Sequence, residues 1–451
     1  MNKWTGVVLA AGQGTRMKSS LPKGLHTACG KPLLGHVTSL MRDAGASRVI
    51  VIASPATAEL PELKAAAGEN AIIAVQDRPL GTAHALLCAR ESVSEAETIV
   101  VGAGDMPLVQ GESLASLIGV HEDTNAFISM LVANVENPSG LGRVIRHANG
   151  SVLKVVEEAE ADSQQKQIRE VNTGWYALDA AWAWGELERV RVSATGERYL
   201  PDLVGAAATS ARAQAVAVGD SWEALGVNNR VQLAEVERVL RDRIRRRHML
   251  AGVTLRDPQT TYIDAGVEIG QDTELLSGNH LLAGTRIGTG CVIGPNSVLR
   301  ECSIGDGSRI IASYIEGAEI GAGISIGPYS RVRAGTRIET GAYIGNFAEV
   351  KNSKVGAGSH VGHFSYIGDS ALGADVNIGA GTVTANFDGR EKHRTVIGDR
   401  VKVGSDTVFV APVTVGDDAV TGAGAIVTSD VAAGDTVVGV PARPITHKRK
   451  V

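Results

Sequence analysis

Aromatic side chains are scarce in this chain: five Phe, seven Tyr and five Trp make up 4% of 451 residues. Interiors filled throughout by rings are thereby excluded, and narrow aliphatic layers are favoured. Cysteine is scarce too. Cys29, Cys88, Cys291 and Cys302 form no CxxC pair and no metal-like spacing, so reduced, buried or idle thiols in a cytoplasmic protein are expected. No sign of charge dominates. A net charge of -5 gives no footprint for nucleic acid or a membrane surface. No long uninterrupted apolar run is present, and the opening MNKWTGVVLAAGQGTR lacks a basic-then-apolar-then-small cleavage pattern. Its apolar stretch reads as one buried strand.

What is present instead is a period. From Ile263 onward an aliphatic residue recurs at nearly every sixth position, usually beside a glycine. The first run is Ile263, Ile269, Leu275, Leu281, Ile287, Ile293 and Leu299; the second runs from Ile320 to Val350; a third holds Ile397, Val403, Phe409 and Val415. That spacing fits neither a helix nor a lone strand and marks a solenoid of short parallel strands, each with one side chain inward. Well over half of the 54 glycines lie from Ala251 onward, as corners needing positive φ or close backbone approach require. One large break runs from Ile378 to Ile397. Its polar middle, TANFDGREKHRT, reads as a loop leaving the stack, and insertions in repeat proteins gather on a binding face.

The first half has a different grammar. Apolar strand candidates at Gly6–Ala10, Val49–Ala53, Ala71–Gln76, Thr98–Ala103 and Ala126–Val135 alternate with helical segments such as Leu33–Ala44 and Gly81–Arg90. The pattern predicts an α/β domain with a mostly parallel sheet and ligands at its carboxyl edge. Between the halves, Val231–Leu250 places Leu233, Val236, Leu240 and Ile244 on one helical face. Its arginines (Arg241, Arg243, Arg245, Arg246, Arg247) are expected on a solvated face. The expected division is 1–229, a linker helix 230–250, and 251–451.

Two constellations carry chemistry. In the first, Leu9-Ala10-Ala11-Gly12 leads into Gly14-Thr15-Arg16 directly after a strand, where backbone N–H groups can turn toward an anion. The third glycine of a dinucleotide fingerprint is absent, and so is GxxxxGK[ST]. The whole pattern LAAGQGTRM, then Leu21-Pro22-Lys23, then Gly30-Lys31-Pro32 resembles the nucleotidyltransferases that activate sugar 1-phosphates. By that resemblance Leu9, Ala10, Ala11 and Gly12 wrap a nucleotide, and Arg16 and Lys23 neutralise its triphosphate for attack by a phosphate dianion. Gln76, Gly81 and Thr82 resemble the base-reading stretch. Ala103-Gly104-Asp105 ends an apolar strand with a carboxylate suited to Mg²⁺, although such an Asp is often only a helix cap. Asn228 completes the metal site by resemblance, and Gly140, Glu157 and Asn172 resemble sugar-reading elements. Glu158 and Glu160 compete with Glu157 for that role.

The second constellation lies in the solenoid, where a bare scaffold or trimerisation element is the alternative reading. Polar residues are dense here, and His363 in GHFSYIGDS is suited to take a proton from an amine. With NIGAGT and the extruded loop, this half resembles the acetyltransferase part of the bifunctional uridyltransferase–acetyltransferase family of UDP-N-acetylglucosamine synthesis. The resemblance spans nearly the whole chain. It implies a Rossmann-like nucleotidyltransferase domain followed by a left-handed parallel β-helix, assembled as a homotrimer with acetyl sites between subunits. It implies that Arg333 and Lys351 hold sugar phosphate, with Tyr366 and Asn377 positioning the amine. Ala380, Asn386, Phe387, Ser405 and Ala423 would line the acetyl-CoA channel. The implied substrates are glucosamine 1-phosphate, N-acetylglucosamine 1-phosphate, UTP and acetyl-CoA, with Mg²⁺ as cofactor and no nucleic-acid or membrane partner. Phe387 stands where the family often has tyrosine, and Ala385 replaces a frequent cysteine. A basic residue near position 440 can contact coenzyme A in the family; Arg443 or the terminal lysines are the candidates here. A monofunctional nucleotidyltransferase with a β-helix used only for trimerisation, and a regulatory module built on a dead acetyltransferase, remain open at this point.

Overall fold

In the computed structural model, which describes residues 3–93, 98–193 and 196–444, the apolar run after Lys3 becomes an inner strand of a mixed sheet. The chain divides into two units, up to Leu240 and from Arg241 onward. In the first, the strands of the main sheet are β1 (Trp4–Leu9), β2 (Arg48–Ala53), β3 (Ile72–Val75), β4 (Thr98–Ala103), β5 (Ile128–Asn134), β6 (Arg143–Arg146), β7 (Val152–Val156), β8 (Glu170–Asp179) and β9 (Ala213–Ala217). Their order is β9-β5-β8-β4-β1-β2-β3, with the β6–β7 hairpin attached through β8. Strand β8 runs antiparallel to both neighbours, while β1 is parallel to β2 and β4.

The unbroken apolar character of β1 follows from cover on both faces. Val7 belongs to the core cluster holding Ile50, Leu86 and Ile99, and Val8 to the opposite cluster holding Leu34, Met41 and Trp175. Helices α1 (Leu33–Asp43), α2 (Pro61–Ala67), α3 (Thr82–Leu87), α4 (Gly111–Asp123), α5 (Ala180–Arg189) and α6 (Asp202–Ala208) supply that cover. Strands β6 to β9 escaped the sequence pattern because they are mixed in polarity, and β8 carries a register shift between Asn172 and Tyr176.

The second unit is the left-handed parallel β-helix of hexapeptide repeats. Three parallel sheets run from Thr254–Leu255 to Asn377–Ile378, from Tyr262–Ile263 to Ile426–Val427, and from Glu268–Ile269 to Val413–Val415. Each strand of two or three residues pairs with one a full coil away, as Val332 does with Val350. The inward aliphatics Ile293, Ile326, Val350 and Ile367 are fully buried, each worth about 1.5–3 kcal/mol relative to exposure. Two residues before most inner positions sits a small, often hydroxylated side chain. Thr273 Oγ1 donates to Gly288 O (2.8 Å) and accepts from Cys291 N (3.0 Å), and Ser359 Oγ does the same with Gly373 O and Val376 N. These hydroxyls satisfy corner backbone groups that a solenoid otherwise buries unpaired.

Two expectations need correction. The break after Ile378 is narrower than its apolar pattern suggests. Val383–Ala385 is a strand, with Thr384 buried at the inner position and its Oγ1 bonded to both N and O of Gly368. The excursion spans Asn386 to Arg394, and the chain re-enters at Thr395–Ile397. Helix α7 (Arg230–Leu250) forms as expected, but its arginines do not make one solvated face. Arg245 is only 3% exposed, pairs with Asp242 (2.5 Å) and donates to Pro258 O, while Arg241 stacks 4.2 Å over Tyr262. A guanidinium on an apolar stem can be buried once its donors are satisfied.

Candidate functional sites

Strands β1, β2, β3 and β4 end at one edge of the sheet. Leu9 pairs with both Ile52 and Ala103, and Gly104 N donates to Leu9 O (2.9 Å) while Gln76 N donates to Ala53 O (2.9 Å). The loops leaving these strands enclose a cavity of about 280 Å³ lined by Leu9, Ala10, Ala11, Gly12, Lys23, Gln76, Gly81, Thr82, Ala103, Gly104 and Asp105. This is the carboxyl-edge crevice where parallel sheets take ligands.

Cations and oxygens are interleaved at its rim. Lys23 Nζ donates to the Asp105 carboxylate and to Asn228 Oδ1 (3.3 Å), and Arg16 donates to the same Oδ1 at 2.8 Å. Asn228 arrives from far along the chain because Val227 N donates to Asp105 O (2.9 Å). Gly14, at φ +61°, permits the approach: a Cβ there would lie 2.8 Å from Lys23 Cβ. Among the described residues no three His, Cys, Asp or Glu converge into a metal cage. Asp105 and Asn228 nevertheless present two oxygens to one cation, the Lys23 ammonium. Two protein oxygens suit Mg²⁺ when phosphates and water complete its shell.

Gly140, Glu157 and Asn172 lie outside that cavity lining. Asn172 N donates to Gly142 O (2.9 Å), and the strand shift at Asn172 turns its Nδ2 onto Tyr176 Oη while its Oδ1 accepts from Gly174 N (3.1 Å). Such shifts re-aim a side chain. Glu158 is spent on structure, accepting from buried Arg143 (2.6 Å) and Gly140 N (3.2 Å). Among the described residues Glu157 has no such partner. Burial, then the charges of Asp202 and Glu160, push its carboxyl pKa up.

In the solenoid, the corner between the first and second sheets carries a vertical column: Asn346, His363, Ala380, Ser405 and Ala423. Backbone bonds fix the stacking, with Gly381 N to His363 O (3.0 Å), Asp406 N to Ala380 O (2.7 Å) and Gly424 N to Ser405 O (2.8 Å). His363 Nδ1 contacts Asn346 Oδ1. A carbonyl oxygen only accepts, so Nδ1 carries a hydrogen and Nε2 is the nitrogen left to exchange a proton.

The next corner holds charge. Asp369 accepts from Asn352 (2.6 Å) and Asn386 and lies 3.7 Å from Lys351. Burial alone would raise its pKa, but these hydrogen bonds and the charges of Lys351 and Lys392 hold it below the usual carboxylate range. Lys351 in turn pushes the Lys392 pKa down. A groove of about 650 Å³ runs past Lys351, Asn352, Asp369, Lys392 and His393. His363 is not part of its lining: the strand Tyr366–Gly368 separates the two corners. Arg333 pairs with Glu349 (3.0 Å), Asn377 occupies an exposed strand position beside His360, and Phe387 is exposed on the loop, bridged to Lys392. Arg443 forms a short antiparallel strand with Pro444; the terminal lysines lie outside the described residues.

Sequence reasoning passed over Asn346, Asp369 and Lys392. The signal for Asn346 was available, because residues one coil apart stack and it precedes His363 by one coil. Asp369 carried the same cue, one coil after Asn352 and one coil before Asn386, whereas Lys392, on the excursion, carried none.

A family model for the MobA-like NTP transferase domain matches residues 6–178, and the six-repeat bacterial transferase hexapeptide model matches residues 266–301 and 394–429. The bifunctional protein GlmU of Mycobacterium tuberculosis (strain ATCC 25177 / H37Ra) is 42% identical over 443 residues, covering 96% of this chain and 89% of its own length. That of Pelobacter propionicus is 43% identical, with 97% and 96% covered, and that of Streptomyces avermitilis 42% identical, with 96% and 91% covered.

Proposed function

The chain belongs to the GlmU family of bifunctional proteins, and from this we propose that it makes UDP-N-acetylglucosamine in two steps at two sites. The solenoid transfers acetyl from acetyl-CoA to the amine of glucosamine 1-phosphate. The first unit then joins N-acetylglucosamine 1-phosphate to UTP and releases pyrophosphate. The observation that carries this reading is that each half holds its own chemical set: Lys23 on Asp105 and Asn228 in one, and His363 held at Nδ1 by Asn346 in the other.

In acetyl transfer, the amine nitrogen attacks the thioester carbonyl and the coenzyme A thiolate leaves. His363 Nε2 takes the proton lost by the amine, with Asn346 holding the imidazole by Nδ1. Arg333, Lys351 and Lys392 bind the sugar phosphate, while Tyr366 and Asn377 position the amine. Ala380, Asn386, Phe387, Ser405 and Ala423 flank the acetyl donor.

In uridylyl transfer, a phosphate oxygen of the sugar attacks the α-phosphorus of UTP and the bond to the β-phosphate oxygen breaks. Arg16 and Lys23 offset charge on the phosphates, and Leu9 to Gly12 give backbone N–H groups to the nucleotide. Gln76, Gly81 and Thr82 hold the uracil. Asp105 and Asn228 would hold Mg²⁺, which supplies further neutralisation of phosphate charge. Gly140, Glu157 and Asn172 receive the sugar.

We place the working boundaries at 1–229, 230–250 and 251–451, and the protein in the cytoplasm as a homotrimer. Two features favour assembly. His363 and the Lys351 groove sit at different corners, so neighbouring copies can complete one another. Tyr329, Phe347 and Phe364 also stack at 5.6 and 5.2 Å beside the His363 column while remaining more than half exposed. No helix among the described residues is long and apolar enough to cross a membrane.

The test is incubation with acetyl-CoA, glucosamine 1-phosphate, UTP and Mg²⁺, assaying free thiol and pyrophosphate separately. Both should appear, pyrophosphate only after thiol. Pyrophosphate released from N-acetylglucosamine 1-phosphate and UTP without any thiol release from the amino sugar would leave the monofunctional reading standing.

A further inference from the structure

Gln76 is 6% exposed, lines the nucleotide cavity, and has both amide hydrogens committed. Its Nε2 donates to Gly81 O (3.0 Å) and meets His84 Nδ1 at 3.1 Å. Gly81 O can only accept, so the amide nitrogen must face it. With one hydrogen spent there, the second points at His84, whose Nδ1 must then be the lone-pair nitrogen of a neutral ring protonated at Nε2. The remaining group, Gln76 Oε1, has no hydrogen-bond partner among the described residues and is left to the cavity.

Gly81 itself is a fixed reference. Its φ is +96°, and a Cβ would lie 2.4 Å from Arg198 O. Flanking bonds clamp the turn: Arg198 N donates to Leu80 O (2.9 Å), Ala83 N to Arg198 O (3.0 Å), and Leu200 N to Thr82 Oγ1 (2.9 Å). The carbonyl of Gly81 therefore has little freedom to follow a rotating glutamine.

We propose that His84 is a positioning residue for base selection: its neutral Nε2–H tautomer locks the Gln76 amide so that a hydrogen-bond acceptor faces the base. This rests on the uridylyl-transfer reading above. Uracil offers N3–H, a donor, to that oxygen. Cytosine offers the unprotonated N3 instead, so two lone pairs meet and the buried acceptor stays unpaired. Thymine shares the donor edge, so the lock discriminates the pyrimidine edge and not the 5-substituent. His84 acts only through Gln76.

The experiment measures kcat and KM with N-acetylglucosamine 1-phosphate for UTP and for CTP in the wild type, His84→Phe and His84→Asn. Phenylalanine keeps the ring but removes the acceptor; asparagine restores an acceptor near the Nδ1 position. His84→Phe is expected to raise the KM for UTP about tenfold with kcat within about twofold, and to cut the UTP-to-CTP ratio of kcat/KM by about tenfold. His84→Asn should recover most of that ratio. An unchanged ratio in His84→Phe, or equal loss in both variants, overturns the proposal. A second readout needs no variant: the ¹⁵N shifts of the wild-type His84 ring should report the Nε2–H tautomer at neutral pH, and an Nδ1–H tautomer overturns the lock. Failure of the wild type to release pyrophosphate with either nucleotide would instead reject the underlying reading.

Discussion

Asn346 stands one coil before His363 and holds the Nδ1 edge of its imidazole, so a neutral amide, not a carboxylate, orients the proposed base. Asn346→Ala should lower kcat for acetyl transfer about tenfold and leave uridylyl transfer unchanged, whereas His363→Ala should cost about 10²–10⁴-fold. Asn346→Asp should retain activity but move the acid limb of the acetyl-transfer pH profile to higher pH, because the new charge stabilises the imidazolium. A pH profile identical to that of the wild type would remove Asn346 from the mechanism.

Lys23 occupies the oxygens that a divalent cation would take. Lys23→Met should reduce kcat/KM for uridylyl transfer about 10²–10³-fold through lost charge on the phosphates. The same change should tighten Mn²⁺ binding to the nucleotide-free protein, read by electron paramagnetic resonance, because Asp105 and Asn228 no longer face an ammonium. Weaker Mn²⁺ binding would show that the lysine supports the metal rather than competing with it.

Glu157 has its pKa raised, chiefly by burial. The native state therefore holds this proton more tightly than the unfolded chain, and stability falls as pH rises past the unfolded value. Glu157→Gln should stabilise the protein at pH 8 and barely at pH 4 by thermal unfolding. It should also raise the KM for N-acetylglucosamine 1-phosphate. Greater stability without a change in KM would assign Glu157 no part in sugar binding.

His121 lies buried against Ser129 Oγ (3.2 Å), and burial lowers its pKa to about 4. Its unfolded value near 6.5 means that the unfolded state binds the proton first on acidification. Stability is thus complete above about pH 6.5 and falls as pH drops toward 4, by about 2 kcal/mol at pH 5. His121→Gln should flatten this part of the stability curve in chemical denaturation. A slope equal to that of the wild type would refute it.

Much of this could be read from local pattern. The run TIVVGA ends at Ala103 as expected because a strand covered on both faces needs continuous apolar residues, and the six-residue period located the inward side chains of three runs while missing Ile304, Ile310 and Ile315 between the first two. Readings failed where a distant partner decided the matter. Thr384 fills an aliphatic position because Gly368 satisfies its hydroxyl. Arg245 is buried because Pro258 and Asp242 take its donors. The resemblance brought Asn228 beside Asp105, but no spacing rule could: the link is one backbone hydrogen bond from Val227.

The stacked corner also works as a ruler. His363, Ala380, Ser405 and Ala423 sit on successive coils, and adjacent strands are separated by about 4.8 Å, so the four mark off roughly 14 Å along the axis. Side-chain changes cannot alter that length; only gaining or losing a whole coil can. A long, thin acyl carrier laid along the column would therefore have its reach to the histidine set by the backbone alone, and the number of coils beyond His363 becomes a heritable measure of donor length.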